Sequence, residues 1–473
     1  MTNDMRFYVG GAWIDRADAP SIPVRNPASE EVIGHIAAGT AADVDLAVAA
    51  ARQAFESFSQ WPVADRVALL ERIRDLLEAR TEDFAQAIVA EMGAAISFVR
   101  AGQVFYGIEH VRAAIEVLRD FQFETKLADV TVRREAIGVC GLITPWNWPL
   151  YQITAKVAPA IAAGCTVVLK PSELSPFSAL LFAQVMHDAG VPPGVFNLVN
   201  GTGDVVGAAI SAHPDIDLVS FTGSTRAGVL VAQAAAPTIK RVVQELGGKS
   251  PNVFLDDADF ASAVPKGVLG AMRNVGQSCA APTRIVVPAS RLAEVEALAA
   301  EAANGIVVAH PLDESAFIGP LANAAQFAKV QDLIQSGIDE GAKLVCGGLG
   351  LPQGLNHGYY ARPTIFSEVT PAMRIAQEEI FGPVVVLMPY EDEEDAVRIA
   401  NATVYGLSSH VQSADLDRAR RVARRIRAGQ VHINYPAWSR HAPFGGYRQS
   451  GNGREYGLYG MEEYLEVKGL LGY

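Results

Sequence analysis

The chain has 473 residues, half of them apolar and 19% charged, which excludes disorder and a fibrous architecture; at about 150 residues per domain it allows about three domains. Thirty-nine Lys and Arg against 52 Asp and Glu leave a net charge of −13. That balance gives neither nucleic acid nor an anionic membrane a basic surface to bind, so neither is expected as a partner.

Between residues 5 and 36 short apolar and turn-rich pieces, FYVGGAW and IPVRNP among them, predict small strands. Three helical patterns follow from Ala41 to about Leu118, with DVDLAVAAARQAFESF as one and VALLERIRDLLEARTEDFAQAIVAEM as a long second. From about 136 to 247 strands alternate with alanine-rich helices: GVCGLIT, TVVLK, VFNLV, DLVSF and RVVQEL are β-branched apolar runs. Continuous apolar strands joined by helices imply a parallel sheet covered on both faces. A second α/β segment over about 249–440 offers NVFLD, RIVV, KLVCGG, PVVVLMPY and VHIN as strands. The tail YLEVKGLLGY reads as a late strand that can pair with TVRREAIG in a small arm. MTNDMRFYVGGAWID carries no signal-peptide core, and no apolar run reaches bilayer length. The four cysteines are too scattered for a metal knuckle and too few for a disulfide scaffold, so a cytoplasmic, metal-free protein is expected.

Cys279 differs from the other three cysteines, Cys140, Cys165 and Cys346, whose contexts are those of buried small apolar residues. It lies in NVGQSCAAPTR, where glycine and polar neighbours allow exposure and close backbone approach. A thiol nucleophile needs a base and a donor for an oxyanion. Glu245 ends an apolar strand before Gly247 and Gly248, where α/β sheets place their chemistry, and burial would make it a stronger base. Asn147, between two tryptophans in TPWNWPL, can donate without adding charge. SFTGSTRAG reads as strand, Gly223, Ser224 and helix start, which suits a pyrophosphate. LKPSE puts Lys170 and Glu173 past another strand, where an acid accepts ribose hydroxyls and repels a 2′-phosphate, favouring NAD over NADP. No G-x-G-x-x-G is present; GTGDVVG has the wrong spacing and reads as a loop and helix start.

In order along essentially the whole chain, TPWNWPL, KPSE, FTGST, ELGGKSP, GQSC, EEIFGPV and PFGGYRQSGNGRE resemble the NAD(P)-dependent aldehyde dehydrogenase superfamily. The resemblance implies an α/β fold in three parts. They are a Rossmann-like cofactor-binding domain over 1–117 and 137–248, a catalytic α/β domain over 249–449, and an oligomerisation arm over 118–136 and 450–473. It implies a homodimer or homotetramer. Cys279 would attack the aldehyde to give a thiohemiacetal, Asn147 with the Cys279 backbone N–H would hold the oxyanion, and Glu245 would activate the water that hydrolyses the thioester. Lys156 and Glu455 match a proton path. Trp146, Lys170, Ser172, Glu173, Gly223, Ser224, Leu246, Glu379 and Phe381 would bind NAD, with NADP as the alternative cofactor.

For the substrate pocket the resemblance implies Trp148, Gln152, Ser278, Trp438 and Phe444. Arg273 stands six residues before Cys279 and is added to them because its forked donors suit a carboxylate. Ala155, where relatives often carry a bulky aromatic, suggests a widened tunnel, and Arg440 and His441 a partly cationic one. The expected substrate is therefore a medium-length or polar-ended aldehyde. A structural ion-pair role is the alternative for both arginines. A CoA-acylating relative would lack the base, and a non-catalytic cofactor-binding protein would not need Cys279, Glu245 and Asn147 together.

Overall fold

Five β-branched runs between Val139 and Glu245 form the parallel centre of an eight-stranded sheet. The spatial order is Arg241–Glu245, Leu218–Thr222, Val139–Ile143, Thr166–Lys170, Phe196–Leu198. The chain therefore winds outward from Val139–Ile143 on one side, then returns to begin the other side at Leu218–Thr222. That reversal is a topological switch point, and it opens a crevice beyond the carboxyl ends of those two strands. Arg6–Val9 extends the sheet antiparallel at one edge and Gly451–Asn452 at the other. The computed structural model describes residues 2–473, with side chains from Asp4 onward.

A seven-stranded sheet follows, ordered Lys343–Cys346, Thr364–Ser367, Val384–Tyr390, Arg284–Pro288, Pro251–Phe254, Ser408–Gln412 and Gln430–Ile433; its first strand alone is antiparallel. Two of these strands, TIFS and SSHVQ, are not in the sequence-based set. Both are short and mix Ser or Thr into the apolar run, which is a weak strand signal. Cys346 sits on the edge strand and is only partly buried, unlike Cys140 and Cys165. The eight-stranded sheet has two apolar cores, one from Tyr8 to Val243 that takes in Met461, Tyr464 and Leu465 and one from Phe7 to Leu246; the core of the seven-stranded sheet spans Val253 to Ala428.

The long second helical pattern is two helices, Val63–Ala79 and Thr81–Met92, joined at Arg80 (φ −108°, ψ 19°). Both bury a face in the same core, so the apolar period runs through the break with no Gly or Pro to mark it. The arm forms as expected: Leu465–Leu471 pairs antiparallel with Val130–Ala136, which pairs with Glu124–Leu127. Among the described residues no helix is long and apolar enough to cross a membrane.

Candidate active site

Cys279 borders two cavities. One, of about 180 Å³, lies at the switch point and is lined by Trp146, Gly223, Ser224, Leu246, Glu379 and Phe381. The other, of about 540 Å³, is lined by Trp148, Gln152, Ser278, Trp438 and Phe444. The thiol is the boundary between them.

The loop that carries Cys279 has an unusual backbone. Asn274, Val275 and Gly276 all take positive φ (56°, 59° and 69°). Val275 has no local reason to do so, and such a conformation persists only where surrounding contacts over-determine it. The contacts are polar and buried. Asn274 Nδ2 donates to the carbonyls of Asn147 (3.0 Å) and Gln277 (3.2 Å), and Gln103 Nε2 donates to Asn274 Oδ1 (2.9 Å). Asn147 Nδ2 donates to the Gln277 carbonyl (2.9 Å). That bond uses one amide hydrogen and leaves the other available. Asn147 and the nucleophile loop are thus held as one piece across two sheets.

Glu245 is buried, and neither carboxylate oxygen has a partner. Burial, and after it the Glu455 charge, push its carboxyl well above the ordinary carboxylate range. Its strand is clamped by the PFGGYRQSGNGRE segment: Gly451 pairs with Glu245, and Ser450 Oγ donates to the Gly247 carbonyl (2.7 Å). Three residues after Glu245, the chain passes so close to Cys279 that a Cβ on Gly248 would meet the Cys279 carbonyl at 2.4 Å. Burial pushes the Cys279 thiol up, and Glu379, Glu245 and Glu455 add to the effect, so it rests neutral. Lys156 Nζ donates to Ser220 Oγ (3.0 Å) and is ion-paired with Glu455, whose second oxygen is unpartnered.

The cleft at the switch point suits a dinucleotide. Ser224 caps the helix Thr225–Ala235 by accepting from Ala227 N–H (3.3 Å), which orients a helix N-terminus at the crevice. Buried Thr222 Oγ1 has no partner. Gly247 leaves room for a close approach, since a Cβ there would meet Glu379 Oε2 at 2.6 Å. Glu379 Oε1 accepts from Gly248 N–H (2.9 Å), and Trp146 stands edge-on to Phe381 (5.5 Å, 86°). Lys170, Ser172 and Glu173 are not among the cleft's lining residues. They follow Thr166–Lys170 on the same carboxyl edge, where Lys170 Nζ lies 3.3 Å from Glu173 Oε2. Gln326 and Lys329 line the cleft from the helix Ala324–Asp339 of the second sheet, a contribution no local motif announces. Gln326 Nε2 donates to the carbonyls of Ile380 (3.0 Å) and Phe381 (2.8 Å) and so fixes the turn that carries Glu379.

Three substrate-pocket expectations change. Arg273 is exposed and does not line the larger cavity; its guanidinium lies over the rings of Phe98 (5.4 Å) and Phe317 (5.1 Å). The kink at Asn274 turns it away from the nucleophile although only six residues separate them. Arg440 is also outside the cavity, bound to Glu109 (2.6 Å) and Glu116 (2.7 Å). Among the described residues no Lys or Arg faces the larger cavity. Arg440 and His441 line an adjoining cavity that shares Tyr106, Trp438 and Ser439 with it, but Glu109 and Glu116 pair with them, so the expected cationic tunnel is not formed. Nor does Ala155 leave open space, because Tyr456 packs against it and stacks on Phe444 (5.0 Å, 22°). Tyr106, Tyr151, Tyr456 and His432, which no motif marks, are among its other lining residues.

A thiol between a dinucleotide-shaped cleft and an apolar cavity is the arrangement of an aldehyde-oxidising enzyme. The chain matches the aldehyde dehydrogenase family over residues 13–470 and belongs to it. It is 55% identical to a 3-succinoylsemialdehyde-pyridine dehydrogenase of Pseudomonas sp, over 100% of this chain and 99% of that one. Among solved structures it resembles aldehyde dehydrogenase C of Pseudomonas syringae, a cysteine-to-alanine mutant in complex with NAD+ and octanal, with 64% identity and a TM-score of 0.98, covering 99% of this chain and 96% of that one. The Mycobacterium tuberculosis aldehyde dehydrogenase complexed with NAD+ is 38% identical, with a TM-score of 0.97 and coverage of 100% and 99%.

Proposed function

We propose that the protein oxidises a medium-length aldehyde with an uncharged tail to its carboxylic acid, with NAD as the oxidant. The observation that carries this reading is Cys279 at the junction of the two cavities. The NAD+ complexes of the Pseudomonas syringae and Mycobacterium tuberculosis relatives support the cofactor, and the octanal in the former supports the substrate. Bound NAD supplies the hydride acceptor. Trp146, Gly223, Ser224, Leu246, Glu379 and Phe381 would hold it in the cleft, and Lys170, Ser172 and Glu173, on the same strand edge, would serve its adenosine end. Glu173 favours NAD over NADP.

In the first half-reaction the Cys279 thiol loses its proton to Glu245, and its sulfur adds to the aldehyde carbon. The resulting oxyanion is held by the free hydrogen of Asn147 Nδ2 and the Cys279 backbone N–H. Loss of hydride from the thiohemiacetal leaves a thioester on Cys279. In the second, Glu245 takes a proton from water as that water attacks the thioester; the acid leaves and the thiol is restored. Protons reach solvent through Lys156 and Glu455. An unpartnered carboxylic side chain beside the thiol favours hydrolysis over transfer to CoA.

The separate apolar cores and the arm sheet support the division at 117, 137 and 249, with the arm as the oligomerisation element. Gly451–Asn452 pairs with the first sheet and Met461 and Tyr464 pack in its core, so the C-terminal part of the arm begins at Leu465 and not at 450. Following NADH absorbance with octanal, with and without CoA, tests the function. NADH formed without CoA is expected, and a strict need for CoA would overturn the hydrolytic reading.

A further inference from the structure

Tyr151 and Tyr456 both line the larger cavity, and their hydroxyls are hydrogen-bonded to each other at 2.7 Å. Two phenols carry two protons, and one bond between them uses only one. Whichever hydroxyl donates, the other keeps an O–H that makes no hydrogen bond among the described residues. Burial pushes both phenols far above the ordinary tyrosine range, so both stay protonated. The rings are not free to turn away. His110 packs against both, with centroids at 4.4 and 4.2 Å, Phe444 stacks on Tyr456, and Tyr456 has a left-handed backbone (φ 68°). The pair packs in one cluster with Cys279 and Ala155.

We infer that this hydroxyl pair is a specificity device: it presents one hydrogen-bond donor to an uncharged acceptor oxygen in the substrate, a few atoms from the aldehyde carbon. Resting on the proposed dehydrogenase activity, the inference narrows the substrate class to aldehydes with a neutral oxo group in the tail. An alkyl tail leaves the buried donor unsatisfied. A carboxylate meets the donor but finds no cation to offset its burial, since none lines the cavity.

The test compares 4-oxooctanal with octanal by kcat/KM in wild type, Tyr151→Phe, Tyr456→Phe and the double variant. Wild type should favour the oxo-aldehyde by about five- to tenfold, the scale of one uncharged buried hydrogen bond. In the double variant the ratio should fall to about one, mostly through KM. Comparing ratios between proteins removes any intrinsic effect of the oxo group on aldehyde reactivity. Each single variant keeps one phenol whose O–H has lost its partner, so the oxo preference should persist in both; should the double variant fail to fold, loss of the preference in both single variants would overturn the inference. A ratio in the double variant equal to that in wild type would overturn the inference and assign the spare proton to the unpartnered Nε2 of His110. No NADH from either aldehyde would instead overturn the activity itself, and the inference with it.

Discussion

Cys279 rests as a neutral thiol because desolvation, and after it the charges of Glu379, Glu245 and Glu455, push it up. Chemistry therefore depends on a neighbour that can take its proton, and Cys279→Ala should reduce turnover below about a thousandth of wild type while NAD binding persists, read by steady-state kinetics and NAD titration. Glu245 has its carboxyl raised by burial and by Glu455. A raised value keeps it protonated at lower pH, and only the ionised form accepts a proton. The rate of thioester hydrolysis should accordingly climb as pH rises through a point above the ordinary carboxylate range. Glu245→Gln should flatten that limb and, if hydride transfer survives, show an NADH burst followed by a slow steady state; an unchanged pH profile would remove Glu245 from the role. His110, pushed down to about 3 by burial, stays neutral over this range and contributes no limb. Arg273 gives the opposite kind of expectation. Stacked between two phenylalanines outside the cavity, it should not affect substrate choice, so Arg273→Met should leave the ratio of kcat/KM for an ω-carboxylated and an uncharged aldehyde within about twofold, since no charge-assisted contact is lost.

At the scale of elements, the three left-handed residues before Gln277 decide where the thiol stands. Gly276 is the position where no side chain fits: φ is 69°, and a Cβ would meet the Gly382 carbonyl at 2.1 Å. Gly276→Ala must displace both the nucleophile loop and the turn that carries Glu379. It should cost about 1–3 kcal/mol of stability and, by shifting the thiol, at least tenfold in kcat, measured by thermal melting and initial rates. Gly270 is the control. It lies inside the helix Phe260–Met272 with nothing within 4 Å of an added Cβ, so Gly270→Ala should raise stability by about 0.5–1 kcal/mol through helix propensity alone. Equal losses from both substitutions would show that the loop geometry is not what positions Cys279.

Across the whole molecule, the arm is the part with least core of its own. Leu465–Leu471 is an outer strand of a three-stranded sheet, and Val467 and Leu471 on it are 66% and 82% exposed. An apolar outer strand invites pairing with another chain, and a second copy of this one is the expected partner. Val467→Lys places a charge on that surface and should shift the protein toward monomer in light scattering. An unchanged mass would place the subunit contact elsewhere.

How much of this was legible in the chain follows from the range of the forces involved. Alternating β-branched runs and helices are local, so the parallel sheet, the second α/β segment and the pairing of the tail with TVRREAIG could be read directly. The site motifs were legible for the same reason: TPWNWPL, FTGST and ELGGKSP each join a strand end to a turn, and the sheet order then gathers those ends at one switch point. The break at Arg80 was not legible, because two helices burying faces in one core share a continuous period. The substrate cavity was least legible. Proximity in sequence suggested Arg273, but the left-handed kink after it reverses the chain, and Phe98 and Phe317, distant in sequence, hold the guanidinium outside. Ala155 suggested open space that Tyr456, some three hundred residues later, fills. The sequence by itself determined the fold class and marked the cofactor edge, and Cys279 as a candidate nucleophile, because short-range periodicity and strand-end motifs are local. Only the tertiary structure decided that the cavity is neutral and holds a tyrosine pair, because side-chain packing between remote segments sets the shape and charge of an enclosed space.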